Sequence, residues 1–587
     1  MEDRKRETTL ALRQEKTAHL FSDPHNPLRH LERGLVHEEL GFFDLASADA
    51  YRALYLFETV IDPDSSEYHA KARKDSVLTG EFDQAQQACD DDDDEDGEEG
   101  NFTPTSRADY DESIGSVYRL LVRSLVKCGC MKDAYEFCIQ GLDLPDELLK
   151  EDDGLKEQLR IIKQSVATKQ KATGIEVSGL VDSDAPDAFD PSLLASQGFA
   201  KRVLYPWNTH EPERKSPETL ELLNKMLSEV SSKCEVRAVA LPALHNPLID
   251  EQDRKMGKCS QNEESEPEVS IQLGLFAKED IAPGEIILRE SSFLTATNRL
   301  HDDFCDACNG PLPDLSSENA AVACEDCDDI IFCSSSCADV AQDIYHGAVC
   351  GQDGLASIGK STSDPKDKAD YLYLLLLGRA IAMAATQQIH PLELSEVKYI
   401  WGDFHPWDDL QALTNDPSSY PAGSTLPFSF QLNILQPMRM LEEMEIDPFS
   451  SLQLYDTWIL NTLYAKFRGT ASGRLSTWDG GPEVCAVHPL WCLANHSCDP
   501  NVRWEWGGEI TFVAREDERR VKWKSGGDGD GGELESSGKG GIRKDEEILN
   551  HYCDVGLGVK DRREWAMGAL GGACLCERCV FEAGEKS

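Results

Sequence analysis

Four short pairs of metal-ligating residues crowd one stretch of the chain: Cys305-x2-Cys308, Cys324-x2-Cys327, Cys333-x3-Cys337 and His346-x3-Cys350. Seven cysteines fall within these 46 residues, in a chain that has 20 in 587. Zinc takes four nitrogen or sulfur ligands in a tetrahedron, and ligands two or three residues apart reach one ion, so four pairs imply two ions. Both sites are closed by protein ligands and are expected to be structural. A second group, Cys574-x-Cys576-x2-Cys579, offers three thiolates, one short of a tetrahedron. Cys89, Cys128, Cys130, Cys138, Cys234, Cys259, Cys485, Cys492 and Cys553 have no metal spacing and are expected to be small core residues.

Size and charge narrow the function classes. At 587 residues the chain is too long for one core, so two to four domains are expected. With 58 basic against 107 acidic residues the net charge is −49, which argues against a nucleic-acid-binding surface and suits a basic partner or plain solubility. Tyr371 to Ala385 is the longest apolar candidate, but it contains Arg379 and is too short to span a bilayer, so it reads as a buried helix. Met1-Glu2-Asp3-Arg4-Lys5-Arg6 is charged without an apolar run behind it, so no secretory signal is expected, and the compartment is read as nucleus or cytoplasm. Disulfides are disfavoured there, which makes metal the better reading of the cysteines.

Residues 28–160 read as helical. Glu39-Leu40-Gly41 closes one helix, and Ala46, Ala50, Ala53, Leu54 and Leu56 follow on one face. Lys127-Cys128-Gly129, Ala134, Gly141, Leu142 and Leu144-Pro145 repeat the spacing, with small residues where two antiparallel helices approach. This resembles the tetratricopeptide repeat, and a plain pair of helical hairpins fits the same spacing. Between the copies, nine of the ten residues Asp90–Glu99 are acidic, so the run is expected to be disordered, as a solvated linker or as a contact for basic segments.

Residues 161–233 read as linker and helix. Val181 to Pro186 is loose, while Ser216-Pro217-Glu218-Thr219 has the cap, first-turn proline and early acid of a helix start. Glu235 to Leu241 alternates as a strand, and Gln252 to Glu268 reads as loop. Ser270 to Glu290 reads as a hairpin: a strand ending at Gly274-Leu275-Phe276-Ala277, turn chemistry at Ala282-Pro283-Gly284-Glu285, then Ile286-Ile287-Leu288. Leu372 to Ala385, Leu392 to Tyr399 and Tyr455 to Phe467 read as helices, Glu509 to Ala514 as a strand, and Lys524 to Gly541 as a flexible insertion.

An apolar segment, Leu490-Trp491-Cys492-Leu493-Ala494, runs straight into Asn495-His496-Ser497-Cys498-Asp499-Pro500-Asn501, placing polar side chains where the fold must pair them. With the opening strand at Gly274 and the late strand ending Ile548-Leu549-Asn550-His551-Tyr552, this resembles a SET-domain protein lysine methyltransferase, and the paired cysteines resemble a MYND finger. The resemblance to SET–MYND proteins covers about 235 to 579.

That resemblance implies a multidomain chain. An N-terminal α-helical repeat region leads to a β-rich SET domain of β-clip type at 234–556. A MYND zinc finger at 305–350 and a helical insert at 360–475 split this domain, and a Cys-rich post-SET tail at 557–587 follows it. By the same resemblance Cys305, Cys308, Cys333 and Cys337 hold one zinc, Cys324, Cys327, His346 and Cys350 a second, and Cys498 completes Cys574, Cys576 and Cys579 around a third. S-adenosylmethionine is the implied cofactor, held by Gly274, Phe276, Asn461, Asn495, His496 and Tyr552 in a knot-like site, with Tyr552 at the methyl-transfer channel. The implied partner is a protein lysine substrate, histones included, with peptide partners for the repeat and the finger, and no membrane. The family's usual aromatic residues before the tail cysteines are replaced by Ala569-Leu570-Gly571-Gly572-Ala573, with Trp565 on the preceding helix as a substitute. The competing reading is a non-catalytic adaptor on a decayed SET scaffold.

Overall fold

The computed structural model describes residues 2–61, 105–149, 154–173, 191–242, 269–297, 304–314, 320–327, 330–358, 365–407, 423–475, 482–506, 508–525, 534–535, 539–570 and 572–584. The acidic run at 90–99, the linker at 181–186 and the loop at 252–268 lie outside them. The described residues form two compact units: one takes in the chain up to Lys201 together with Leu426–Asn461, and the other holds the remainder.

The first unit is helical: α1 (Glu2–Ser22), α2 (Pro27–Glu39), α3 (Phe43–Ile61), α4 (Arg107–Cys128), α5 (Met131–Leu142) and α6 (Gly154–Thr173). Each of α1 to α4 packs on the next helix in the chain, and α6 closes on α4 and α5. Asn26 caps α2 by accepting the Leu28 N–H at 3.0 Å, with Pro27 in the first turn. Gly41 (φ 77°) and Gly129 (φ 85°) make the left-handed turns after α2 and α4, a conformation that penalises residues bearing a Cβ. Ala46, Ala50, Ala53 and Ala134 are fully buried. A Cβ at Gly141 would come within 2.9 Å of Leu155 and 3.1 Å of Tyr118, so the small residues do set the helix spacing. The helical region is longer than 28–160, because α1 precedes it and α6 runs on to Thr173. The face that α1 buries is Thr9, Arg13, Thr17 and Leu20, three of them polar, so it carries no apolar stripe for a sequence reading to find.

A charged cluster lies inside this unit. Arg33 is fully buried and clamps two carboxylates: its Nη2 and Nε reach Asp49 at 2.5 and 3.0 Å, and its Nη1 and Nη2 reach Asp456 at 2.8 and 3.2 Å. His37 Nδ1 meets Asp49 at 2.9 Å, and Arg52 donates to Thr457 at 3.1 Å. Although burial alone would raise both acids, the neighbouring arginines hold Asp49 and Asp456 below the usual carboxylate range. Phe430 and Phe449 join the same core, packing edge-on to Tyr51 at 4.8 Å and tilted against Tyr55 at 5.8 Å respectively.

The second unit begins with α7 (Pro217–Val230), capped by Ser216, and continues into β1 (Cys234–Pro242) and β2 (Val269–Ala277), which pair antiparallel. Next come β3 (Ile286–Glu290), β4 (Thr295–Thr297), α8 (Ser335–Ile344) and α9 (Pro365–Gln387). They are followed by β5 (Ser472–Leu475), β6 (Pro482–Ala486), β7 (Val502–Trp506), β8 (Ile510–Ala514), β9 (Glu547–Ile548), α10 (Val559–Leu570) and α11 (Glu577–Glu582). These strands make three small sheets, β9-β2-β1, β7-β8-β3 and β5-β6-β4.

Ser270 to Glu290 is therefore not a hairpin. The turn is local, but β2 pairs with β1 and β9, while β3 crosses to β8, with Leu288 opposite Phe512. Leu273, Leu275, Ile287, Leu288, Phe512 and Ile548 fill the core between the strands. The helix expected over Leu392 to Tyr399 is two short turns, Pro391–Glu393 and Ser395–Lys398. The one expected over Tyr455 to Phe467 breaks at Asp456, the Arg33 partner. Of the 524–541 insertion, Lys524 and Ser525 pair with Glu535 and Leu534. No helix among the described residues is long and apolar enough to cross a membrane.

Replacing Asp456 with alanine removes one of the two carboxylates around a buried guanidinium. It is expected to cost about 3–5 kcal/mol of stability. Urea unfolding followed by circular dichroism measures this, and Asp456→Asn should cost less.

Candidate active site and metal centres

Two segments far apart in sequence run side by side and bring the candidate residues together. Asn550 N–H donates to Asn495 O at 2.8 Å, and Ser497 N–H donates to Asn550 O at 2.7 Å, forming a parallel bridge between His496 and Asn550. Asn501 locks the same pairing with its side chain, accepting Leu549 N–H and donating to Glu547 O, both at 2.8 Å. The late strand is short, since only Glu547 and Ile548 pair in a sheet; beyond them the chain leaves β2 for the Asn495–Asn501 segment.

Around this crossing the side chains converge. Asn495 Nδ2 donates to Leu273 O at 3.0 Å and to Glu547 Oε1 at 2.8 Å. Gly274 lies against both: a Cβ there would stand 2.6 Å from Glu547 Oε1 and 2.9 Å from Asn495 Nδ2, so only glycine leaves them room. His496 accepts the Tyr552 N–H on Nδ1 at 3.0 Å, and the two rings lie 5.2 Å apart. Because burial pushes the imidazole down to about 4, the ring is neutral and its one proton sits on Nε2, directed at Cys498 Sγ 3.3 Å away. The Tyr552 hydroxyl donates to Ala494 O at 2.9 Å, and burial pushes its ionisation up. The phenol is thus a neutral group whose proton is committed and whose oxygen lone pairs are free to accept.

Three sets of four ligand atoms gather among the described residues, each within 4.8 Å: Cys305, Cys308, Cys333 and Cys337; Cys324, Cys327, His346 and Cys350; and Cys498, Cys574, Cys576 and Cys579. The first two sets interleave along the chain. A zinc tetrahedron with Zn–S of about 2.3 Å has S···S edges of about 3.8 Å. The observed separations of 3.9 Å (Cys308–Cys333), 3.8 Å (Cys324–Cys350), 3.5 Å (Cys333–Cys337) and 3.4 Å (Cys498–Cys579) fit that geometry. His346 turns Nε2 toward Cys324 at 3.2 Å and Cys327 at 3.8 Å. His496, Cys498 and Cys553 make a further group that shares Cys498. The proton on His496 Nε2 excludes that nitrogen as a ligand and makes it a donor to the Cys498 sulfur instead.

Other candidates lie elsewhere. Asn461 belongs to the helical unit, where its amide donates to Asp44 at 2.8 Å. Phe276 is two residues along β2 from Gly274, under the Arg237 guanidinium at 5.2 Å. Trp565 is 57% exposed on α10.

Residues 272–553 match the SET domain family. Domains of this family are in general protein lysine methyltransferases that use S-adenosylmethionine. No curated protein matches the chain.

Around the crossing, several supporting residues escape a sequence reading because their contacts are distant in the chain. Glu547 holds Asn495 from 52 residues away. Trp523 Nε1 donates to Asp499 at 2.9 Å. In the tail, Arg578 Nη1 donates to Cys498 O and Val555 O, both at 2.8 Å. Asn550 is fully buried, and neither atom of its amide has a partner among the described residues, so a bound molecule or water can satisfy it. Cys553 is buried as expected, in a small core cluster with Ala566 and the tail cysteines, and its sulfur also lies within 4.8 Å of Cys498 Sγ.

Glu290 is the remaining support. It is buried at the end of β3 and accepts the backbone N–H groups of Leu490 (3.0 Å) and Trp491 (2.7 Å), fixing the turn that leads into Asn495. Burial pushes its carboxyl up to about 7 from 4.5, against the pull of those two donors. The neutral form is favoured by folding, so this contribution to stability is complete below pH ~4.5 and is lost as pH rises through ~7. Compared with Glu290→Gln, the wild type is expected to lose about 3 kcal/mol of relative stability between pH ~4.5 and ~8. Parallel urea titrations of the two proteins across that range measure it, and a constant difference would contradict the assignment.

Proposed function

We propose that the chain is an S-adenosylmethionine-dependent protein lysine N-methyltransferase, with histones among its substrates. The observation that carries the reading is the convergence of Gly274, Asn495, His496 and Tyr552 at the segment crossing inside the SET match. Asn495, His496 and Gly274 would hold the cofactor, and the unpartnered Asn550 amide supplies a further polar contact. When bound, the cofactor supplies a sulfonium methyl for in-line attack by a lysine amine.

The residues of the chain prepare that amine. Freeing a lysine of its proton at pH 7 costs about 4–5 kcal/mol, and an apolar channel reduces this by disfavouring the ammonium. Tyr552, with its proton held by Ala494, accepts from the amine and orients it; a phenol with its ionisation pushed up is not the base. Holding amine and methyl in line contributes most of the remainder.

Three zinc ions are proposed, one in each four-ligand set, with the third tying the tail to Cys498. The helical unit is proposed as a tetratricopeptide-like peptide-binding region, and the compartment as nucleus or cytoplasm.

Methyl transfer from labelled cofactor to a histone and whole-lysate panel tests the activity. Tyr552→Phe is expected to lower kcat about tenfold or more, and His496→Ala to weaken cofactor binding by a similar factor. Cofactor binding without transfer to any protein would support the adaptor reading instead. Elemental analysis should find three zincs in the wild type and two in Cys498→Ser.

A further inference from the structure

Four sulfurs suffice for the tail zinc, and a fifth lies beside them unused. Cys553 directly follows Tyr552, is 3% exposed, and has its sulfur within 4.8 Å of Cys498 Sγ and of a ring nitrogen of His496. It does not complete a second four-ligand set: its group with His496 has three members, shares Cys498 with the four sulfurs, and has His496 Nδ1 taken up by the Tyr552 N–H. It packs in the small core around the tail cysteines, and its sulfur lies within 4.8 Å of Cys498, the one residue by which the four-sulfur set is attached to the segment crossing. Cys574, Cys576 and Cys579 come from the tail, and Cys498 alone comes from the segment crossing.

The geometry points to Cys498 and Cys553 as an oxidation switch, in which a peroxide joins the two as a disulfide and withdraws Cys498 from the metal. This rests on the reading of the four sulfurs as a zinc centre. The steps balance. The Cys498 thiolate attacks one peroxide oxygen, the O–O bond breaks, and Cys498 sulfenic acid and hydroxide result. The Cys553 sulfur then attacks the Cys498 sulfur; the S–S bond forms, the S–O bond breaks, and the hydroxyl leaves as water with the Cys553 proton. Two electrons pass from the thiol pair to the peroxide. The zinc is left with three thiolates and an open position, and is lost to any competing chelator.

Both sulfurs also touch the candidate active site. His496, whose Nδ1 fixes the Tyr552 backbone, donates its other N–H to Cys498, and Cys553 is the next residue after Tyr552. Oxidation at this pair therefore acts on the His496–Tyr552 pairing from the sulfur side as well as on the tail.

The test uses the full chain and hydrogen peroxide, with zinc release followed by a metallochromic dye and disulfides mapped by peptide mass spectrometry. The wild type is expected to release its first zinc equivalent together with a Cys498–Cys553 disulfide, and to rebind zinc after dithiothreitol. Cys553→Ser and Cys553→Ala should start with the same zinc content and release that equivalent at least fivefold more slowly. Release at the wild-type rate from both variants overturns the switch, as does a map that joins Cys498 to a tail cysteine. If neither variant folds, the wild-type disulfide map decides alone. A wild type that holds no metal at these sulfurs before oxidation overturns the zinc reading as well, whereas one that holds it and releases it without this disulfide overturns only the switch.

Discussion

The site exists because two strings of backbone, Asn495 to Asn501 and Glu547 to Tyr552, hydrogen-bond to each other in parallel. Neither string is a regular strand over its length, and neither has a partner of its own in the neighbouring sheets beyond Ile548. Their mutual bonds, with Asn501 as a side-chain lock, satisfy buried polar backbone that would otherwise be costly. Everything chemical follows from that pairing. It sets His496 over the Tyr552 amide, brings Asn495 to Glu547 and Gly274, and places Cys498 and Cys553 side by side. Glu290 and Trp523 steady the segment from outside, at its entry and at Asp499.

The four-ligand sets are assembled on a different principle. The first two sets draw all eight candidate ligands from one 46-residue stretch, so an ion in either would close loops of short range. The third set draws one ligand from the crossing and three from the tail. A zinc there would organise the tail and report on the crossing together, with Arg578 bridging the same two regions through Cys498 O and Val555 O.

What could be read in the sequence is what is encoded locally. The spacing of the ligand pairs marked which Cys and His side chains gather, the Ser216 cap and the glycines at 41 and 129 marked helix ends, and the alanines of α3 marked a close helix contact. What could not be read is what depends on distant partners. The turn at Ala282 to Glu285 looks like a hairpin because turn chemistry is local, while the choice of β8 as partner for β3 is made more than 200 residues later. α1 buries a polar face, which no hydropathy pattern announces. The resemblance assigns Asn461 to the cofactor, while in the fold its amide is spent on Asp44. Glu547 and Cys553 gain their meaning only from neighbours that the fold supplies.

Arg33 also has a bearing on where this protein can be divided. Residues 426–461 lie within the SET match by sequence, yet they share their core with the amino-terminal helices, and Asp456 answers to an arginine on α2. Family boundaries and folding boundaries therefore disagree in this chain. A fragment cut to the family match would carry Phe428, Phe430, Ile434, Met438 and Phe449 without the apolar surface that covers them, and an aspartate without its guanidinium. Exchanging the helical region for another module by fusion at its end would leave that shared core uncovered, so the two parts are coupled in folding.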